Sequence, residues 1–301
     1  MAISQIGKII KRRRLALGLS QEELSDGICA VTTLSRIENG ERMPTQNHLE
    51  MLLQRLGYSE MMFHSYVDEE EFYAHELKFK IRQAYIENNK ADGNILLDEF
   101  KALVKNPSNI DKQFILLLEI LLNQSNEHGE EYLAKFEDIL RLTHPRYKRG
   151  NVPQVLTYEE IVLLNNISIE VALLNQQNEA IDILYGIVKF YDMHTVNTEE
   201  TLRTAPMIFY NLSKQLGLAG RYDECIQICD RGIELAQKTG RCGAFSYTLY
   251  NKAWALVKRG RAEDLSDSKK FALQAKNVAE ALGHEVLLKC VQDFMDANHM
   301  T

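Results

Sequence analysis

Apolar residues recur at helical spacing along nearly the whole chain, and the polar residues between them mark where each helix starts and stops. Near the N-terminus Ile6, Ile9, Ile10 and Leu15 form an apolar stripe over residues 3–17, surrounded by Lys8, Lys11, Arg12, Arg13 and Arg14. Ser20 with Glu23 three positions on is a capping box, which predicts a short helix over 21–25. Asp26-Gly27 breaks it. A second short helix, over 31–38, stops at Asn39-Gly40, a left-handed C-terminal cap signal. Leu24, Ile28, Leu34 and Ile37 are placed to lock these two helices together. Thr45 caps a further helix that Gly57 ends, and Ser59 starts a fifth through Met61, Met62 and Phe63.

Beyond Tyr66 the pattern is helix after helix. The acidic run 68–71 suits a solvated helix start or connector. Helical hairpins are expected over 73–105, 112–142, 157–193, 201–239 and 243–282, with a last helix over 284–297. Turn signals separate them at 89–93, 106–108, 145–153 and Gly240. Three segments can be laid on one another: 164–168 around Asn166, 209–213 around Asn211, and 249–253 around Asn251. Asn166 precedes Ala180 by 14 residues, and Asn211 precedes Cys225 by the same 14. Ser168, Ser213 and Ala253 are all small, as a close helix crossing requires. The expected fold is all-α, with a five-helix domain over 1–66, a connector helix over 67–75 and a repetitive helical body over 76–301.

Composition narrows the function. The 301 residues suffice for two domains, and five prolines with 45% hydrophobic residues fit a helical globular chain. The net charge of −7 is unusual for a nucleic-acid binder, but it is unevenly spread. Residues 1–66 hold eight Lys/Arg against seven Asp/Glu, so the first domain carries +1 and the rest −8. Within that domain the cations gather between Lys8 and Arg14, and local sign governs phosphate contact. Residues 1–19 have charges where a secretion signal has an apolar core, and no run of 18 apolar residues suggests a membrane span. With five cysteines and no short paired spacing, a reducing cytoplasm is expected. Cys225 and Cys229 share one helical face, either as small core residues or as a two-ligand metal or redox pair. No Gly-rich phosphate loop, HExxH or CxxC motif is present, and the eight histidines are scattered. Neither an enzyme nor a cofactor is expected.

The chemistry on offer is polar recognition. On the 31–38 helix Val31, Thr32, Thr33, Ser35 and Arg36 remain for the outer face, which suits base edges and phosphates in a major groove. The pair Gln21-Glu22-Glu23-Leu24 and Ser35-Arg36-Ile37-Glu38-Asn39-Gly40 resembles the lambda-repressor-like (XRE-type) DNA-binding domain. That resemblance implies residue roles. Gln21 would bond a phosphate and brace the recognition helix. Val31, Thr32, Thr33 and Arg36 would face bases, Arg36 reading guanine unless it pairs with Glu23 or Glu38. Ser35 and Asn39 would contact backbone or hold the turn, and Arg42, Arg12 and Arg13 would meet phosphates.

The helical body resembles tetratricopeptide repeats, with 178–183 and 220–228 as second halves of hairpins. Its spacings of 45 (Asn166 to Asn211) and 40 (Asn211 to Asn251) exceed that family's usual ~34, so the helices are longer than standard. A right-handed solenoid of this type lines its concave side with the first helix of each hairpin. Asn166, Asn211 and Asn251 would then face a groove and bond an extended peptide's backbone, or else bridge neighbouring helices. Tyr210, Tyr247 and Tyr250 would add flat contact area, and Lys214 could meet a carboxylate. The whole combination resembles the PlcR-like and Rgg-like peptide-pheromone-sensing regulators of Gram-positive bacteria. It implies a cytoplasmic homodimer that binds an imported signalling oligopeptide, re-aims its DNA-binding heads and reads a near-palindromic double-stranded operator in quorum sensing. The alternative is a regulator whose body docks a protein partner. Such an interface should be broad and apolar, whereas a peptide groove should be narrow and lined by Asn and Tyr.

Overall fold

In the computed structural model the described residues are 2–57, 69–123, 128–193, 199–240 and 242–300; they are helical and turn-forming, with no strand among them. They fall into two compact units, Met1–Leu174 with Asp192–Thr198, and Asn175–Tyr191 with Glu199–Thr301.

The first unit opens with α1 (Ala2–Ala16), α2 (Gln21–Ser25), α3 (Val31–Glu38) and α4 (Gln46–Arg55). The capping box at Ser20 and Glu23 is formed, and the Thr45 hydroxyl accepts the His48 amide at the start of α4. Leu24, Ile28, Leu34 and Ile37 share one core with Ile6, Ile10, Leu49, Leu52, Leu53 and Leu56. Leu15, expected in the apolar stripe of α1, is instead 60% exposed. Ile6, Ile10 and Arg14 follow one another at i, i+4 and i+8, so Arg14 holds the inward position. Leu15 is rotated roughly 100° away from it. Arg14 is tolerated there because Glu38 receives its guanidinium through two hydrogen bonds, of 2.6 and 2.9 Å. The expected fifth helix at Ser59, Met61, Met62 and Phe63, like Asp68, lies outside the described residues.

Five more helices complete this unit: α5 (Glu69–Ile86), α6 (Lys90–Leu103), α7 (Asn109–Asn123), α8 (Glu130–Arg141) and α9 (Tyr158–Leu173). The described part of the expected connector, from Glu69, continues into α5 without a break. Phe100 and Phe114 meet edge to face with centroids 5.4 Å apart and join α6 to α7. Ile110 on α7 and Val155 before α9 pack into the core of α1–α4, so the head shares apolar packing with these hairpins.

The second unit holds α10 (Gln177–Met193), α11 (Glu199–Leu218), α12 (Tyr222–Thr239), α13 (Phe245–Arg259), α14 (Asp264–Ala281) and α15 (Glu285–Ala297). Small residues set its crossings, as the sequence requires. Ser213 and Ala253 are fully buried, as are Ala272, Ala275 and Ala279 along α14. The Ser268 hydroxyl donates to the Ala253 carbonyl at 2.8 Å, which satisfies a polar atom at the α13–α14 contact. The helices of the expected hairpins fall at α5 and α6, α7 and α8, α9 and α10, α11 and α12, and α13 and α14, and the last expected helix at α15.

Candidate functional site

The outer face of α3 is open within its unit. Val31, Thr32, Arg36 and Asn39 are exposed, and Thr33 and Ser35 half-buried. Arg36 lies 3.9 Å from Glu41, both side chains more than half exposed. A pair of that kind contributes little, so the guanidinium can exchange it for a base edge. Glu23 and Glu38, the partners considered from the sequence, are occupied elsewhere. Glu23 closes the cap with the Ser20 amide. Glu38 accepts from Arg14 and from the Gln21 side chain, the latter at 2.8 Å. Gln21 therefore braces α3 through Glu38. Arg12 and Arg42 are exposed. Arg13 donates to the Leu56 carbonyl at 3.1 Å, a cation on the C-terminal end of α4.

The head is also tied to the hairpins by polar contacts, and the most deeply buried of them is made by one arginine. Arg55, at the end of α4, donates to the Leu24 and Asp26 carbonyls at 3.0 and 2.7 Å. Its other terminal nitrogen donates to the Glu160 carboxylate at 3.0 Å, and both side chains are fully buried. His144 Nε2 lies 3.1 Å from the same carboxylate. The Thr157 amide, part of the α9 capping box, donates to the other oxygen at 2.7 Å. Burial alone would raise the Glu160 pKa. The neighbouring His144 and Arg55 and the Thr157 amide outweigh it and hold the carboxyl well below the usual range. Beside this cluster Gly27 has φ +68°, and a Cβ there would stand 1.7 Å from the Thr143 carbonyl oxygen. The turn between α2 and α3 thus lies directly on the chain that follows α8.

In the second unit α11, α13 and α15, with Cys225 of α12, enclose a cavity of about 310 Å³. Tyr210, Lys214, Tyr247, Tyr250 and Asn251, all named from the sequence, line it together with Gly217, Leu218, Trp254, Val286, Leu287 and Cys290. Asn251 also serves as a bridge: its amide nitrogen donates to the Ser213 hydroxyl at 2.9 Å and the Tyr210 carbonyl at 3.3 Å. Burial pushes the Tyr210 and Tyr250 hydroxyls above their ordinary pKa, so both stay protonated and able to donate. Asn211 is buried and is not among the lining residues. Asn166, in the first unit, turns its amide nitrogen onto the Val162 carbonyl of its own helix at 2.8 Å. Cys225 and Cys229 are both buried, and burial pushes the Cys229 thiol well above its ordinary value. Among the described residues no cluster of His, Cys, Asp or Glu is placed to hold a metal, and no helix is long and apolar enough to cross a membrane.

Residues 10–62 match the helix-turn-helix family model. The chain carries an XRE-type helix-turn-helix domain. No curated protein matches the sequence. Among solved structures, PlcR from Bacillus thuringiensis in complex with the peptide PapR7 and DNA is 18% identical, with a TM-score of 0.57 over 96% of this chain and 99% of that one. The apo form of the same protein gives 16% and 0.55, over 96% and 98%. The competence regulator ComR from Streptococcus vestibularis, also apo, gives 17% and 0.53, over 99% of each chain. The helix-turn-helix head and the helical body together therefore have the fold of these proteins along nearly their whole length.

Sequence reasoning missed the residues that fix the helix-turn-helix head in place. Arg14 reads as one more cation of a basic run, and Arg55 as the polar end of α4. Trp254 and Gly217 were equally silent, although a lone tryptophan one turn beyond Tyr250 was a usable signal for an aromatic wall.

Proposed function

We propose that this protein is a cytoplasmic DNA-binding transcriptional regulator, not an enzyme, whose helical body binds a short signalling peptide and thereby alters DNA binding. The observation that carries it is the pairing, in one chain, of an uncovered recognition helix with an aromatic cavity walled by the first helices of successive hairpins. The fold shared with PlcR, which has been crystallised with a peptide and DNA, supports the same assignment. The residues 1–66 then form the reading head and 76–301 the sensing and dimerising body. A homodimer would present two heads to a near-palindromic operator with half-sites one helical turn, or a multiple, apart. A peptide can shift DNA binding only by favouring one of two arrangements of the protein.

Val31, Thr32, Thr33 and Arg36 are the base-facing set, Val31 and the threonines suiting thymine methyl groups. Arg36→Ala in the full chain is expected to weaken the selected operator by about 1–3 kcal/mol and to relax preference at one base position. Operator selection from random duplexes followed by titration measures both. An equal loss on random DNA would reduce Arg36 to a phosphate contact. For the peptide, the chain's single tryptophan, Trp254, sits in the cavity wall and reports occupancy by its emission. Size-fractionated oligopeptides from the source organism's spent medium should shift that emission and be retained in native mass spectrometry. Retention of a protein and of no peptide would favour the docked-partner alternative.

A further inference from the structure

We propose that the cavity against Trp254 takes one large apolar side chain of the ligand and that Lys214 pairs with a carboxylate carried next to it. This rests on the peptide-binding function proposed above and specifies the ligand's chemistry.

The cavity's size limits what enters. At about 310 Å³ it lies at the lower end of the ~300–1,000 Å³ range of small-molecule sites, with room for a bulky side chain. Its wall is aromatic and held from behind. Tyr247 is flanked by Tyr210 and His284, each at a ring distance of 5.3 Å. Trp254 is met by Tyr222 at 6.0 Å, and Tyr250 by Phe294 at 5.6 Å, both edge-on. Rings fixed in this way lose little freedom when a guest arrives, which favours an apolar or aromatic side chain. Gly217 lets the indole come close to α11. A Cβ there would lie 3.1 Å from the Trp254 ring and 3.7 Å from the Cys225 sulfur. Glycine weakens a helix interior, so its place in α11 opposite the indole is matched by the close approach it permits.

The rim specifies charge. Lys214 lines the cavity, is exposed, and makes no ion pair or hydrogen bond among the described residues. Lys252, next in sequence to Asn251, by contrast pairs with Asp230. No carboxylate lines the cavity. Leu218, one turn after Lys214, and Val286 across the mouth are 61% and 80% exposed, an apolar rim around a lone cation. A carboxylate adjoining a buried apolar group satisfies both. It can come from the ligand's own C-terminus or from an Asp or Glu side chain.

The test uses the full chain and Trp254 emission with four pools of synthetic heptapeptides, randomised except at fixed positions, and a matching set with Val in place of Phe. One ends in Phe as the free acid and one in Phe amide. Two amidated pools carry internal Phe-Asp or Phe-Asn. A pool bearing a carboxylate beside Phe is expected to half-saturate at about tenfold lower concentration than its neutral counterpart, and Lys214→Gln to erase that difference. Preference confined to the free acid identifies the terminal carboxylate, and preference confined to Phe-Asp the side chain. Gly217→Ala should weaken Phe pools more than matching Val pools. Equal binding of neutral and carboxylate-bearing pools, or no size dependence in Gly217→Ala, overturns this inference while peptide binding stands. If no pool shifts Trp254 emission and native mass spectrometry retains none, peptide binding itself falls and this inference with it.

Discussion

Glu38→Ala is expected to destabilise the helix-turn-helix head by about 3–5 kcal/mol, because it leaves the Arg14 guanidinium buried without its counter-charge. Glu38 is fully buried and accepts three hydrogen bonds, two from Arg14 and one from Gln21. It is also the last residue of α3, so the helix that carries Val31, Thr32 and Arg36 loses its brace. Amide hydrogen exchange over residues 2–57 should rise throughout, and operator affinity should fall with it. The double variant Arg14→Met with Glu38→Met should recover most of the stability, since an apolar pair of similar size replaces a buried ion pair at little cost. A single variant that loses less than about 1 kcal/mol would mean that water reaches Arg14 and that the pair is a surface bridge.

Glu160→Ala should have an effect of the same order, about 3–5 kcal/mol, but in a different place. It strands Arg55 in the interior with His144 3.2 Å away. The expected result is a local opening: faster exchange at the amides of residues 24–28 and 143–147, with the remainder of the body protected. The pH dependence follows from the depressed carboxyl. A group whose folded pKa lies below its ordinary 4.5 stabilises the fold fully above that value. The contribution disappears as pH falls from there toward the depressed pKa. The native chain should therefore loosen at this contact in acid, and Glu160→Ala should remove that part of the acid response. An unchanged acid profile in the variant would assign the response to other carboxylates.

Local chemistry was legible in the sequence and distant chemistry was not. The Ser20–Glu23 cap, the Asn39-Gly40 stop and the apolar set Leu24, Ile28, Leu34 and Ile37 act within a few residues of one another, so their pattern states their geometry. The helix limits were readable for the same reason. Arg55 meets Thr143, His144 and Glu160 across 88, 89 and 105 residues, and no local pattern carries that information. Leu15 was misplaced because hydrophobicity was allowed to decide a helix face that a buried ion pair decides instead. The recurrent asparagines were readable as equivalent positions but not as equivalent contacts. Asn251 borders the cavity, Asn211 is buried away from it, and Asn166 folds back on its own helix. Lys214, Tyr210, Tyr247 and Tyr250 were legible because one turn of α11 and one of α13 bring them to a common face.

The seat of the head bears on how such proteins can be recombined. Exchanging the first 60 residues between two chains of this fold looks like a clean cut at a linker. Here the donor head would have to bring a glycine that tolerates the Thr143 carbonyl at position 27 and an arginine aimed at the acceptor's Glu160. It would also have to leave gaps for Ile110 and Val155. A chimera that ignores these matches would fold both halves and lose their registration. The transferable module is the head together with the surface it sits on, and operator preference travels between such chains only when both sides of that seam travel together.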